Sequence, residues 1–145
     1  MSQTLTHYIG GEAIAGDDLF DDIDPYRDES VCRAPTADDE TVASAVDAAA
    51  RAAGDVASMP AYERAVILRR AAELVVERAG AIGEIMARET GKAIGDARAE
   101  VKRSMDTLNL SAEEAIRIEG QHVPLDGSGI GHGKQAVITR YPAGT

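Results

Sequence analysis

Tryptophan is absent from this 145-residue chain, phenylalanine occurs once and tyrosine four times. With so few rings, an apolar content of 44% must come from Ala, Val, Ile and Leu. A buried Leu or Ile contributes roughly 1.5–3 kcal/mol and an alanine far less, so a shallow core and marginal stability of the isolated chain are expected. The single cysteine, Cys32, can form no internal disulfide, which fits a reducing compartment. No apolar run approaches the ~18 residues of a membrane span, and the opening "MSQTLTHYIGGE" lacks the basic and apolar regions of a signal peptide. Together these absences predict no membrane partner and a cytoplasmic location.

Lysine is scarce too, with three among 15 basic residues set against 25 acidic ones, for a net charge of -10. A protein that neutralises phosphates needs a basic face, and the one basic cluster is Arg69-Arg70, so no nucleic-acid partner is expected. The aspartates come in pairs (Asp17-Asp18, Asp21-Asp22, Asp38-Asp39). That bias suits a protein kept soluble in high salt, and an ordinary acidic surface accounts for it about equally well.

What is present divides into three parts. Residues 1–35 hold short extended segments: "THYIGGEAIA" reads as two strands around a Gly10-Gly11 hairpin turn. Asp24-Pro25 marks a second turn, and "ESVCRAP" a strand stopped by Pro35. Residues 36–120 are helical. Thr36 or Asp38 caps a first helix with an apolar stripe of Val42, Ala45, Val46, Ala49, Ala53 and Val56. Ser58 and Pro60 open a second, with Ile67, Ala71, Leu74, Val75, Ile82, Ile85 and Met86. The third carries Ile94, Ala97, Val101, Met105, Leu108, Ala112 and Ile116. Residues 121–145 comprise a glycine-rich loop tip followed by a strand, "KQAVITRY", ended by Pro142; no partner for that strand is foreseen. The fold class is thus α+β, mostly helical.

The break at "RETGKAIG" poses the main chemical question, since Gly91-Lys92 resembles part of a phosphate loop. A P-loop places a glycine five residues before Gly-Lys and a Ser or Thr after it, whereas Ala93 follows here, the upstream glycine is missing, and the preceding segment is helical. A helix stop remains, with Gly91 free to take positive φ and Lys92 near the last carbonyls. Gly127, Gly129, Gly131 and Gly133 alternate, precede a strand and so do not form a dinucleotide fingerprint. His7, His122 and His132 sit on separate segments without ligand spacing. Cys32 reads as a structural thiol with no base nearby, and Glu113-Glu114 as a solvated face.

The ordered set "YIGGE", "DIDPYRDESVCRAP", "ADDETVASAVDAA", "ERAVILRRAAEL", "ARETGKAIGDARAEV", "SAEEAIRIEGQHVPLD" and "ITRYPAGT" resembles the N-terminal part of an aldehyde dehydrogenase, with Asp24-Pro25 where the family commonly has Asn-Pro. "EEAIRIEGQHVPLD" is similar to branches oxidising lactaldehyde, semialdehydes or glyceraldehyde phosphate. The resemblance implies the following for a complete enzyme. A cysteine thiolate attacks a small aldehyde to give a thiohemiacetal, NAD or NADP accepts hydride, and a glutamate activates the deacylating water. Those parts follow the "RYPAG" element, so no residue of this chain is assigned a catalytic or cofactor-binding role, and no cofactor is expected on it alone. By the same resemblance, residues 1–35 are N-terminal strands, 36–120 flank the cofactor domain, and 121–145 hold the first strand of an oligomerisation arm. The implied partners are the remainder of the enzyme chain and further copies in a homo-dimer or tetramer. Some members bind a monovalent cation, here near Ile23 and Glu100. Two rival readings are a stand-alone helical interaction module and a non-functional truncated product.

If the acidic bias reflects a saline setting, repulsion among the carboxylates should weaken the fold in dilute buffer, where the Debye length is about 30 Å at 0.01 M. Circular dichroism should then show helicity and melting temperature rising from millimolar to molar potassium chloride. Equal values at both ends would remove that explanation of the charge.

Overall fold

Backbone chemistry explains where each element starts and stops in this computed structural model, which describes residues 3–144. Strands β1 (Gln3–Thr4), β2 (His7–Ile9), β3 (Glu12–Ile14), β4 (Leu19–Asp24) and β5 (Glu29–Pro35) come first. Gly10 and Gly11 both have positive φ, 61° and 89°, the twist that suits a two-residue hairpin, and β2 and β3 pair antiparallel across them. β5 is the centre of a three-stranded sheet, parallel to β1 on one side and antiparallel to β4 on the other.

Four helices follow: α1 (Asp39–Ser58), α2 (Ala61–Glu77), α3 (Ala79–Thr90) and α4 (Ile94–Ala115). Asp38 caps α1, its Oδ1 accepting from the Thr41 N–H at 2.8 Å, which satisfies one of the orphan donors of the first turn. Ser58 closes α1 by donating to the Asp55 carbonyl instead of capping the next helix, and α2 begins after Pro60 without a side-chain cap. The stripe from Ile67 to Met86 predicts one helix, but the structure holds two. Arg78, at φ -108° and ψ 9°, both ends α2 and starts α3, and Gly80 just beyond it weakens helix propensity by about 1 kcal/mol relative to alanine.

The core lies between α2 and α4, and it is built almost wholly from alanine. Ala65, Ala112 and Ala115 form its centre with Leu68 against them. Ala72, Ala97 and Val101 are also buried, and Val101 is the only described core residue that is larger than cysteine. This shifts the predicted face of α2: Ala65, Leu68 and Ala72 point inward, while Ile67 is 56% exposed and Ile85, on α3, 51%. Small side chains let the two helix axes approach closely, and that closeness excludes the bulkier Ile67 from the seam. The α4 stripe matches expectation in its middle, with Ile94 and Ile116 exposed at its ends.

Strands β6 (Gln121–Pro124) and β7 (Gln135–Ile138) close the chain as an antiparallel hairpin. β6 is missing from the sequence reading, which treats Gln121 onward as loop and leaves the following strand unpaired. The glycine-rich connection is held by ordered turns: Gly131 N–H donates to the Ser128 carbonyl at 3.0 Å, and Lys134 N–H to the Gly131 carbonyl at 2.9 Å. No helix is long and apolar enough to cross a membrane among the described residues.

Gly91 ends α3 at φ 68°, in the left-handed region, and a Cβ there would sit 2.8 Å from Pro25 Cγ. The helix-stop reading of the Thr-Gly-Lys break is therefore observed directly. Gly91→Ala should destabilise the chain by about 1–2 kcal/mol from the left-handed φ alone, with the Pro25 contact adding to it. Urea denaturation checks this; a midpoint unchanged from the parent would mean that the turn relaxes freely.

Candidate functional site

The one buried charged side chain among the described residues lies where the β4–β5 turn meets the α3–α4 turn. Asp24, 1% exposed, ends β4, and its Oδ1 accepts from the backbone N–H groups of Tyr26 at 2.9 Å and Arg27 at 3.1 Å. Its Oδ2 accepts from the Arg27 guanidinium at 2.9 Å. The Tyr26 N–H bond first, and then the Arg27 bonds and charge, hold this carboxyl below its ordinary range against the opposing effect of burial. Pro25, next in sequence, packs on Gly91.

Beside this turn, the antiparallel register sets Asp22 opposite Cys32, and Glu89 reaches in from α3. One oxygen of each carboxylate and the Cys32 sulfur lie within 4.8 Å of one another. Sequence reasoning misses this trio, because pairing in the hairpin could suggest Asp22 with Cys32 but nothing local announces Glu89. Cys32 is 7% exposed and its thiol is oriented toward Asp22 Oδ2 at 3.9 Å. Burial, followed by the charges of Asp22 and Glu89, pushes the thiol up, so it stays protonated and poorly nucleophilic. The expectation of no base near Cys32 is thus corrected, since two carboxylates lie beside it, and burial together with their charge keeps the thiol protonated.

Across the break, Lys92 reaches the Glu100 carboxylate at 2.5 Å instead of the α3 carbonyls, and Arg103 lies 3.9 Å from the same group. The Lys92 bond and charge lower the Glu100 carboxyl from its ordinary value. Ile23, at the bulge in β4, pairs with Ser30. A monovalent cation at Glu100 would have to share or displace the Lys92 ammonium, so these residues do not form a ready cation site.

Both arginines of the Arg69-Arg70 pair are engaged by carboxylates. Arg69 joins α2 to Glu113 of α4 at 2.8 Å, so Glu113 is an interhelical partner and not part of a purely solvated face. Arg70 is held by Glu73 and Glu77, which leaves the Arg69-Arg70 pair without a free basic face for phosphates. His122 bonds the Gln135 side chain within the β6–β7 hairpin, and the glycine-rich stretch only joins the two strands of that hairpin.

A groove of about 1100 Å³ lies between α1 and the segment after β7. Ala49, Ala53, Val56 and Ala57 form one wall, and Thr139 to Pro142 with Gly144 the other. The two arginines on its rim are engaged by backbone carbonyls, Arg64 by Met59 and Arg140 by Glu119. The groove is mainly apolar on its α1 side, with the hydroxyl-bearing side chains of Thr139 and Tyr141 on the other.

Because Asp24 has a lowered pKa when folded, its contribution to stability is full above the ordinary carboxylate range and is lost as pH falls through the lowered value. Thermal melts from pH 7 to pH 2 should show this loss. Asp24→Asn keeps an oxygen for the Tyr26 and Arg27 N–H groups and should flatten the acid arm, while Asp24→Ala should lower the melting temperature even at pH 7. Identical acid profiles for parent and Asn variant would show that Asp24 does not carry this dependence.

Residues 13–145 match the model of the aldehyde dehydrogenase family. The 3-sulfolactaldehyde dehydrogenase of Priestia megaterium is 33% identical over 137 residues, covering 94% of this chain and 28% of that protein. Aldehyde dehydrogenase 21 of Physcomitrella patens, solved with its reaction product succinate, superposes with a TM-score of 0.89 at 33% identity over 94% of this chain and 29% of its own. Lactaldehyde dehydrogenase of Escherichia coli gives 0.82 at 32% identity over 89% and 28%. The chain thus spans under a third of the length of these relatives.

Proposed function

Since the chain belongs to the aldehyde dehydrogenase family, we propose that it serves as the N-terminal scaffold of a NAD(P)-dependent enzyme that oxidises a small aldehyde to its carboxylic acid. The observation that carries this reading is the match over 94% of this chain to only 29% of a solved family member. The chemistry then belongs to the part not spanned here. Small polar substrates are favoured by the relatives' names, which include 3-sulfolactaldehyde and lactaldehyde dehydrogenases.

In this reading the chain's residues position and do not react. Residues 1–35 form the strand base, 36–120 flank the cofactor domain, and the β6–β7 hairpin within 121–145 begins an oligomerisation arm that joins copies into a dimer or tetramer. NAD or NADP would accept hydride on the remaining part of the enzyme. A stand-alone helical interaction module is the alternative, favoured by the exposed stripe of α1.

Reading the coding sequence past Thr145 separates the two: an Asn-Phe-Pro-like segment with a downstream cysteine supports the enzyme, and a stop codon supports the module. Calorimetry with residues 1–145 alone should detect no NAD or NADP binding, and the chain should oxidise neither lactaldehyde nor succinate semialdehyde. Micromolar cofactor binding would overturn the scaffold role and direct attention to Gly127–Lys134.

A further inference from the structure

Gly127 stands in the β6–β7 connection without a reason that the fold supplies. Its φ is not positive, and a Cβ built on it would meet nothing within 4 Å. Two glycines of the same connection differ. Gly133 takes φ 75°, in the left-handed region that favours glycine, and a Cβ on Gly131 would lie 1.8 Å from the Leu125 carbonyl oxygen. What distinguishes Gly127 is the residue before it, because Asp126 alone among the aspartates of the chain is followed by glycine. Both residues are exposed, and they sit together in the turn that leaves β6.

We infer that Asp126-Gly127 is a self-modification site, at which the chain converts Asp126 to isoaspartate through a cyclic imide. The Gly127 amide nitrogen attacks Asp126 Cγ. The N–Cγ bond forms, and the N–H proton leaves with the carboxyl hydroxyl as water, closing a five-membered succinimide ring. Water then adds back at either carbonyl. Cleavage of the N–Cγ bond restores aspartate, whereas cleavage between the Asp126 α-carbonyl carbon and the nitrogen leaves the chain running through Cβ and Cγ, with the α-carboxylate as the side group. No co-reactant enters, since the water lost in the first step is regained in the second. A β-carbon on the following residue obstructs the approach to its nitrogen, and glycine leaves that approach open. Elsewhere the same route is closed: Pro25 after Asp24 has no N–H to give up, and Asp47, Asp55, Asp96 and Asp106 lie in α1 and α4, where helical bonding holds the next N–H.

The consequence falls on the hairpin. Isoaspartate lengthens the main chain by one carbon between Leu125 and Gly127. The Leu125 N–H donates to the Lys134 carbonyl at 3.0 Å, a bond that closes the hairpin beside its turns, and the Leu125 carbonyl lies against Gly131. Because turn geometry fixes the register of a hairpin, the inserted atom loosens this closure and leaves the helices as they are.

Incubating the 145-residue chain in warm neutral buffer for several weeks, followed by digestion and mass spectrometry, tests this. Electron-transfer fragmentation locates isoaspartate by position, and labelled methyl transfer from S-adenosylmethionine by an L-isoaspartyl methyltransferase counts it. Isoaspartate at Asp126 should exceed that at any other aspartate at least tenfold, and a species lighter by one water should precede it. Gly127→Val should reduce it at least tenfold at an unchanged melting temperature, since the position has room and lacks a positive φ. Asp126→Glu, which would need a six-membered ring, should bring the methyl count to background, and it keeps the test decisive if the valine variant fails to fold. In the purified isoaspartyl form, the Leu125 and Lys134 amides should exchange at least tenfold faster than in the parent, with those of α4 unchanged. The inference is overturned if Asp126 stays unmodified, if other aspartates isomerise as fast, if Asp126→Glu keeps the parent methyl count, or if a folded Gly127→Val chain isomerises at the parent rate. Equal exchange of the two amides in both forms would overturn the loosening of the hairpin.

Discussion

The contact of Gly91 with Pro25 is the hinge pin of the structure. It joins the turn that ends α3 to the turn that ends β4, and it is one of the points at which the three-stranded sheet meets the helices. Both sides are shaped for it. Gly91 takes a left-handed φ with no Cβ to strike the proline ring, and Asp24 holds the proline turn with three bonds from buried oxygens. Lys92 and Glu100 then bracket the break from the other side, so the direction in which α4 leaves is set by a steric fit, a buried carboxylate and an ion pair within a few residues.

From that joint the helix packing follows. α3 lies against both β4 and β5 as well as α4, and α4 in turn carries the alanine seam with α2. The Arg69–Glu113 pair bridges the same seam at its edge. With both side chains nearly half exposed and screened by water, this pair adds little to stability; its role is to fix the sliding register of two smooth surfaces more than to hold them together. Alanine seams are shallow, and register is what they lack.

Local signals were legible and long-range ones were not. Gly10-Gly11, Asp38, Asp24-Pro25 and Gly91 each announce their turn or cap because the backbone constraint acts within a few residues. The break at Arg78 has no proline and no capping side chain to announce it, so periodicity alone runs two helices into one. Periodicity also favoured Ile67 over Ala65 for the inner face of α2, since hydropathy ranks isoleucine higher and cannot know that α4 presents alanine and demands a close approach. β6 was hidden by its proline and neighbouring glycines. Within the candidate site, Cys32 was read as a thiol with no base nearby because its carboxylate neighbours are distant in sequence, Ile23 and Glu100 could be named only by resemblance, and the meeting of Glu89 with the β4–β5 hairpin required the fold.

The distribution of side-chain size gives the physical sense of the whole chain. An autonomous domain buries its largest apolar groups, because burial of each contributes most to stability. Here the described core is alanine with one valine and one cysteine, while isoleucines, valines and tyrosines stand outside. Exposed single hydrophobics are ordinary, but a systematic inversion over four helices is not. The alanine seam between α2 and α4 buries little apolar area for each residue, so the larger apolar side chains of these helices stay on their outer faces. With so small a core, the placement of α3 and α4 depends more on the joint at Gly91 and Pro25, where a steric fit, a buried carboxylate and an ion pair act together, than on burial.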